Sequence, residues 1–365
     1  MRTAFKLFGL VALVAATAGT PLTARVTSGA LAGPAFSSIG PLAFGPNNVL
    51  FAADRQAATV FALDLGAQAS GASQGVANVT GLTGKIAAML GSAPADITIT
   101  DLAVHPASHN AFVAAMRGQG PDAQAALLRV DGAGKIDVVS FEGMKFTTVA
   151  LPNPADISAN ARTGRAQSVT DLAFADGKLY VAGLSNEEFA SKLWAVSYPF
   201  ATTDKGTSVE IFHGSHGRLE TRAPVMAFLP WTLNNQPYLI ASYTCTPLVR
   251  FPVGSLKTGT KVLGTTIAEF GAGNQPLDMV SYEKGGRKYL LMSNSARGVM
   301  KIPTADFATA SAITAPVQTE KAGIAYETIT SMTGIEQLDL LDANRSLVIA
   351  KNQSGDRDLS AVALP

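Results

Sequence analysis

The chain has 365 residues, a formal net charge of +1 and 15% charged residues, so neither sign is in excess and nothing points to nucleic acid or an anionic membrane surface as a partner. One cysteine, Cys245, excludes an internal disulfide framework. There is no Cys-x-x-Cys-His haem motif, no phosphate loop, no Gly-x-Ser-x-Gly elbow and no His-Glu-x-x-His, which removes the chemistries those motifs announce.

Arg2 and Lys6 flank the start of an apolar run over 7–18 that ends in Ala16-Thr17-Ala18. This layout predicts a secretory signal over 1–18, cut there or as late as about residue 24, and a periplasmic or secreted protein. The run is short for a bilayer span, which needs about 20 residues, so removal is favoured over a retained membrane anchor. The remainder, 25–365, reads as one domain with no membrane association.

Residues 170–198 read TDLAFADGKLYVAGLSNEEFASKLWAVSY. They combine a short apolar strand, a tight turn at Asp176-Gly177, a second strand, a polar loop and a third strand. The same order recurs through the chain. Earlier copies have apolar segments at 41–44, 49–53 and 59–63, then at 101–104, 111–115 and 126–130. Later copies lie at 225–229, 238–243 and 248–251, at 277–282, 288–292 and 299–302, and at 337–341, 346–350 and 359–363. The leading apolar residues, Leu42, Leu102, Leu172, Met226, Met279 and Leu338, are spaced roughly 50–70 residues apart. A repeat this long, made of hairpins with Gly, Asn and Asp turns, fits one four-stranded blade of a β-propeller.

Fourth strands are expected at 136–141, 208–212, 265–270 and 325–329. The first unit has none that stands out, only a short helix near 85–90. The sixth ends at Pro365 with no room for one, so a strand at 25–27 is expected to close the ring by pairing the two chain ends. The fold class is therefore all-β, one six-bladed propeller. A seventh blade within 66–94 is the alternative. The polar stretch 151–168 is a long surface connection.

Strand alternation sorts the loops onto two faces. One face collects the loops after each second strand and the connections entering each first strand. Its candidate ligand-binding residues are Asn186, Glu187, Asn274, Asp278, Asn294, Arg297 and Arg222. The carboxylates and amides among them are oxygen ligands of the kind that suits calcium, and the arginines suit an anionic group. Asp101, Asp171 and Asp278 share one position in the repeat, which also fits plain hydrogen bonding to neighbouring backbone. The richest stretch is His213-Gly-Ser-His-Gly-Arg-Leu-Glu-Thr-Arg222, with Cys245 arriving on the same face. His213, His216 and Cys245 could form a copper or zinc site, although a buried, inert thiol accounts for Cys245 equally well. His105 and His109 fall on the opposite face, in a hairpin, and read as structural or solvated.

The blade pattern and signal segment resemble exported bacterial β-propeller proteins, with a ring like those of the NHL, YncE-like and gluconolactonase groups, and the segments FGPNNVLFAADRQAATVFALD, LAFADGKLYVAGLSNEEF and SYTCTPLVRFP resemble an uncharacterised proteobacterial propeller family. The gluconolactonase resemblance implies a channel calcium held by Glu, Asn and Asp, with no residue carried over. Three readings stay open. The chain is a periplasmic binding or scaffold protein taking a small molecule or protein partner, a calcium-dependent lactonase or hydrolase, or a copper or zinc protein.

Overall fold

A computed structural model describes residues 33–70, 78–157, 164–245, 247–318 and 321–365. The expected signal segment and the strand expected at 25–27 lie outside the described residues. Six antiparallel sheets form a ring, a six-bladed β-propeller. The blades are lettered A to F by the order in which their first strands occur.

Blade A comprises Leu42–Phe44, Val49–Asp54, Thr59–Asp64 and Phe146–Ala150. Blade B comprises Ile97–Val104, Ala111–Arg117, Gln124–Val130 and Ile136–Val138. Blade C is Asp171–Ala175, Lys178–Leu184, Ser191–Ser197 and Thr207–His213. Blade D is Val225–Leu233, Gln236–Tyr243, Pro247–Pro252 and Thr265–Glu269. Blade E is Pro276–Lys284, Arg287–Asn294, Gly298–Pro303 and the short Glu327–Thr328. Blade F has Ile335–Leu340, Arg345–Lys351 and Arg357–Ala363. The inner hairpins turn where the chain supplies left-handed residues. Asn234 and Asn235 have φ of 48° and 58°, and Gly285 and Gly286 have 60° and 71°, the pairing that a two-residue turn between twisted strands requires.

The ring order differs from the chain order. Inner strands pack in the sequence B, A, C, D, E, F and back to B. After three strands of blade A the chain builds blade B on one flank of A, next to blade F, and then returns to start blade C on the other flank. Phe146–Ala150 then pairs with Thr59–Asp64 as the missing outer strand of blade A. The stretch expected as a possible seventh blade instead carries the helix Leu82–Leu90 in its described part. This helix buries Leu82, Ile86 and Ala87 among residues of blades B and F. The outer edge of blade F is met by Val79, whose N–H donates to Leu359 O at 2.8 Å while Leu359 N–H donates to Val79 O at 3.0 Å.

Each junction between neighbouring blades holds its own apolar cluster, six in all around the ring. Aspartates on the inner strands reinforce these junctions. Asp101 accepts from Leu42 N–H at 2.6 Å, Asp171 from Phe228 N–H at 2.7 Å, Asp278 from Leu338 N–H at 2.8 Å and Asp339 from Val104 N–H at 2.7 Å. The expected backbone role of the repeated aspartates is thus observed, and it reaches across to the next blade. The same relation corrects the phase of the repeat in blade D. Phe228, not Met226, corresponds to Leu42 and Leu338, because each of the three donates its N–H to the aspartate of a neighbouring blade. No helix among the described residues is long and apolar enough to cross a membrane.

Candidate metal centre at the channel mouth

The fourth strand of blade C ends at His213. A 3-10 turn, Gly214–His216, follows, then Gly217 in the left-handed region at φ 64°, then Arg218–Glu220 running back along the same strand. Ile211 pairs with Glu220 and His213 with Arg218. Residues two apart on a strand share a face, and directly opposed residues share it too. His213 and Glu220 therefore project to one side, and the turn brings His216 over them.

The result is a compact trio. His213 Nδ1 lies 3.0 Å from Glu220 Oε2, and His216 Nδ1 lies 2.6 Å from Glu220 Oε1. The two imidazole rings are 3.9 Å apart between centroids. One ligand atom from each residue lies within 4.8 Å of the other two, the one such convergence of His, Cys, Asp or Glu among the described residues. Burial alone would push the Glu220 carboxyl up, but hydrogen bonds from His213 and His216 outweigh it and bring the group down to about 2. His213 is 1% exposed, whereas the His216 side chain is 41% exposed and lines the cleft.

Glu269, fully buried at the end of the fourth strand of blade D, closes the back of the trio. Its Oε1 accepts Gly214 N–H at 2.6 Å and its Oε2 accepts the Ser215 hydroxyl at 3.0 Å. His213 Nε2 is 3.7 Å from Glu269 Oε2 and has no hydrogen-bond partner among the described residues. Burial raises the Glu269 carboxyl above its ordinary range, against the pull of His213 and Gly214 N–H.

The trio opens on a cleft of about 730 Å³, whose lining includes Arg222, Met226, Cys245, Asn274 and Gln275. Gln167, Met226 and Gln275 also line the adjoining mouth of the central channel, together with Arg55, Asp101, Asp171, Asp278 and Gln337. Gln337, with its amide turned to match its neighbours, donates to Asp101 at 2.9 Å and to Asp278 at 3.2 Å. These inner-strand aspartates are half-buried by area yet walled in by protein. Desolvation lifts Asp171 to about 8, Asp101 to about 7 and Asp339 to about 6, and Asp278 rises as well.

The sequence candidates divide into separate places. His213, His216, Arg222, Cys245 and Asn274 share the cleft. Cys245 stands on its rim at φ 64°, its N–H donating to Asn274 O at 2.7 Å, and is not one of the converging ligands; Glu220 holds that third position. Asn294 donates to Asn274 at 2.8 Å, and its own carbonyl oxygen accepts the N–H groups of Ala296 and Arg297 at 3.0 Å, so this amide pair shapes the loops between blades D and E. Arg297 reaches Ala272 O. Glu187 pairs with the buried Lys192 at 2.7 Å and with Asn153, while Asn186 N–H donates to Asn153 O. Asp278 stays in the channel. The oxygen donors considered for calcium are thus distributed over the blade C loop, the D–E loops and the channel.

Two site residues escaped the sequence candidates: Glu220, which stands in the richest stretch without being named as a ligand, and Glu269. The signal for Glu269 is one charged residue inside an otherwise uncharged strand, TTIAEF. Of the two readings of His105, the structural one holds: it is buried, its Nε2 3.0 Å from Asn48 Oδ1 and its Nδ1 accepting Ser108 N–H. On that opposite face a cleft of about 420 Å³ is lined by Trp231, Tyr238 and hairpin residues.

No family model matches the sequence, and no curated protein matches it. Solved structures are similar to this chain over most of its length. One is a PQQ-bound aldose sugar dehydrogenase from Streptomyces coelicolor, at 12% identity and a TM-score of 0.38, covering 94% of this chain and 99% of that one. Another is an oxidoreductase of the glucose dehydrogenase type from Thermus thermophilus, at 13% identity and 0.37, covering 91% and 98%. A third is a gluconolactonase-type protein at 10% identity and 0.31, covering 95% and 100%. Likeness at this level carries no argument about chemistry.

Proposed function

We propose that this β-propeller binds a divalent transition metal, zinc in the first instance, at His213, His216 and Glu220, and that the metal holds a small ligand in the cleft beside the channel. The carrying observation is the convergence of two imidazoles and a carboxylate at the wall of an open cleft. Two nitrogens and one oxygen form a donor set that suits zinc, and three protein ligands leave coordination positions open. With no thiolate in the trio, copper(I) is the poorer match.

The cleft adds a preference for the ligand. Arg222 is exposed on its lining and forms no ion pair among the described residues. A cation pair of this kind, metal and guanidinium, favours a small anion such as a carboxylate. The export signal read at the N-terminus would place this binding in the periplasm or outside the cell.

Calorimetric titration of the full-length protein with Zn²⁺, after treatment with a chelator, tests the reading. One ion per chain is expected, with binding weakened at least 100-fold by His216→Ala. Failure of Zn²⁺, Co²⁺ and Cu²⁺ alike to bind would reject it.

A further inference from the structure

We infer that Glu269 is a positioning residue for this metal centre, acting through His213; the inference rests on the metal reading above. His213 offers the trio its Nδ1. When a metal takes the lone pair of Nδ1, the neutral imidazole must carry its proton on Nε2. That nitrogen is sealed inside the protein, and the acceptor facing it is Glu269 Oε2 at 3.7 Å. The separation is longer than a hydrogen bond, so the pair must draw a few tenths of an ångström closer for the N–H to be satisfied. Without an acceptor the buried N–H would be left unsatisfied, an expensive state.

Glu269 is itself held in place. Gly214 N–H fixes Oε1 and the Ser215 hydroxyl reaches Oε2, and both residues belong to the turn that carries His216. One carboxylate from blade D thereby sets the tautomer of the first histidine and the path of the loop bearing the second. Metal-bound histidines commonly need such an outer carboxylate, and its loss typically costs 10–100-fold in affinity.

The test uses Co²⁺, whose visible absorption reports coordination directly. Glu269→Gln keeps the size but cannot satisfy all three donors, because one end of the amide is itself a donor. Expected is a 10–100-fold weaker Co²⁺ affinity than wild type and a changed absorption spectrum, with the melting temperature of the metal-free protein little altered. Ser215→Ala, which removes one contact to Glu269 and touches no ligand, should weaken binding by a smaller factor and serves if the first variant does not fold. If wild type binds Co²⁺ and both variants bind it with the same affinity and spectrum, the role assigned to Glu269 is wrong while the metal site stands. If wild type itself binds no metal, both fall together.

Discussion

Asp171 accepts two backbone N–H groups at once, Leu172 within its own strand at 2.7 Å and Phe228 in the next blade at 2.7 Å. Asp278 and Asp339 repeat this double grip. Their carboxyls are nevertheless raised, chiefly by desolvation, Asp171 to about 8 and Asp339 to about 6, with Asp101 at about 7. In the unfolded chain these groups titrate near 3.9. Between that value and the folded ones the native state binds more protons than the unfolded state, so stability must fall as pH rises. The contribution is fully present below about pH 4 and gone above about pH 8. Thermal melts from pH 5 to 8.5 should therefore show a falling melting temperature. Asp171→Asn should flatten that slope while lowering stability at pH 5 by about 1–3 kcal/mol, since its amide cannot accept both N–H groups. A slope unchanged by the substitution would show that Asp171 is not the group that titrates.

Cys245 and Glu220 differ sharply in what their removal should do. Glu220 sits between both imidazoles, whereas the thiol lies on the cleft rim outside the trio. Cys245→Ser should leave Zn²⁺ affinity within about twofold. Glu220→Gln should reduce it by more than 10-fold, because it removes the one anionic ligand. Titration of the two variants side by side decides between Glu220 and Cys245 as the third ligand.

Gly214 carries the turn where three groups crowd it. A Cβ there would lie 2.6 Å from Val317 Cγ2, 3.0 Å from Ile313 Cγ2 and 3.2 Å from Glu269 Oε1. Gly214→Ala should cost about 1–3 kcal/mol by overpacking and should also weaken metal binding, since the turn cannot shift without moving His216. Chemical denaturation and metal titration on the same sample measure both effects.

Much of this architecture is legible in the residues themselves. Six apolar hairpins with Asp176-Gly177, Asn234-Asn235 and Gly285-Gly286 turns specify strands, count and handed turns, because those choices are local. The ring order is not local. Nothing in Phe146–Ala150 distinguishes a strand that pairs with its own unit from one that returns to Thr59–Asp64. The phase at Met226 is hidden because VMAFL is uniformly apolar and lacks the aspartate that precedes Leu102, Leu172 and Met279. At the site, clustering of His213, His216 and Glu220 is visible along the chain. Ligand chemistry alone favours Cys245 over Glu220, but strand register makes the choice, and register across Ile211–Glu220 depends on the 3-10 turn. Glu269 comes from another blade and carries no local mark beyond its charge.

The seam between blades B and F is the place where the ring closes among the described residues, and it can be weakened without touching the core. The helix Leu82–Leu90 begins at a glycine, Gly81, which offers no side chain to cap its free N–H groups. Blade F supplies them from outside. Asp358 accepts Gly81 N–H at 2.8 Å and Asp356 accepts Thr83 N–H at 3.1 Å, and both negative charges stand at the positive end of the helix. Removing a cap of this kind costs about 0.5–2 kcal/mol. Asp356→Ala with Asp358→Ala should therefore lower global stability by about 1–3 kcal/mol, allowing for partial overlap of the two losses. It should also speed hydrogen exchange in the helix and in Arg357–Ala363, leaving blade D strands such as Gln236–Tyr243 protected. Exchange that rises equally in blade D would mean that the ring opens as one unit and that this seam is no weaker than the others.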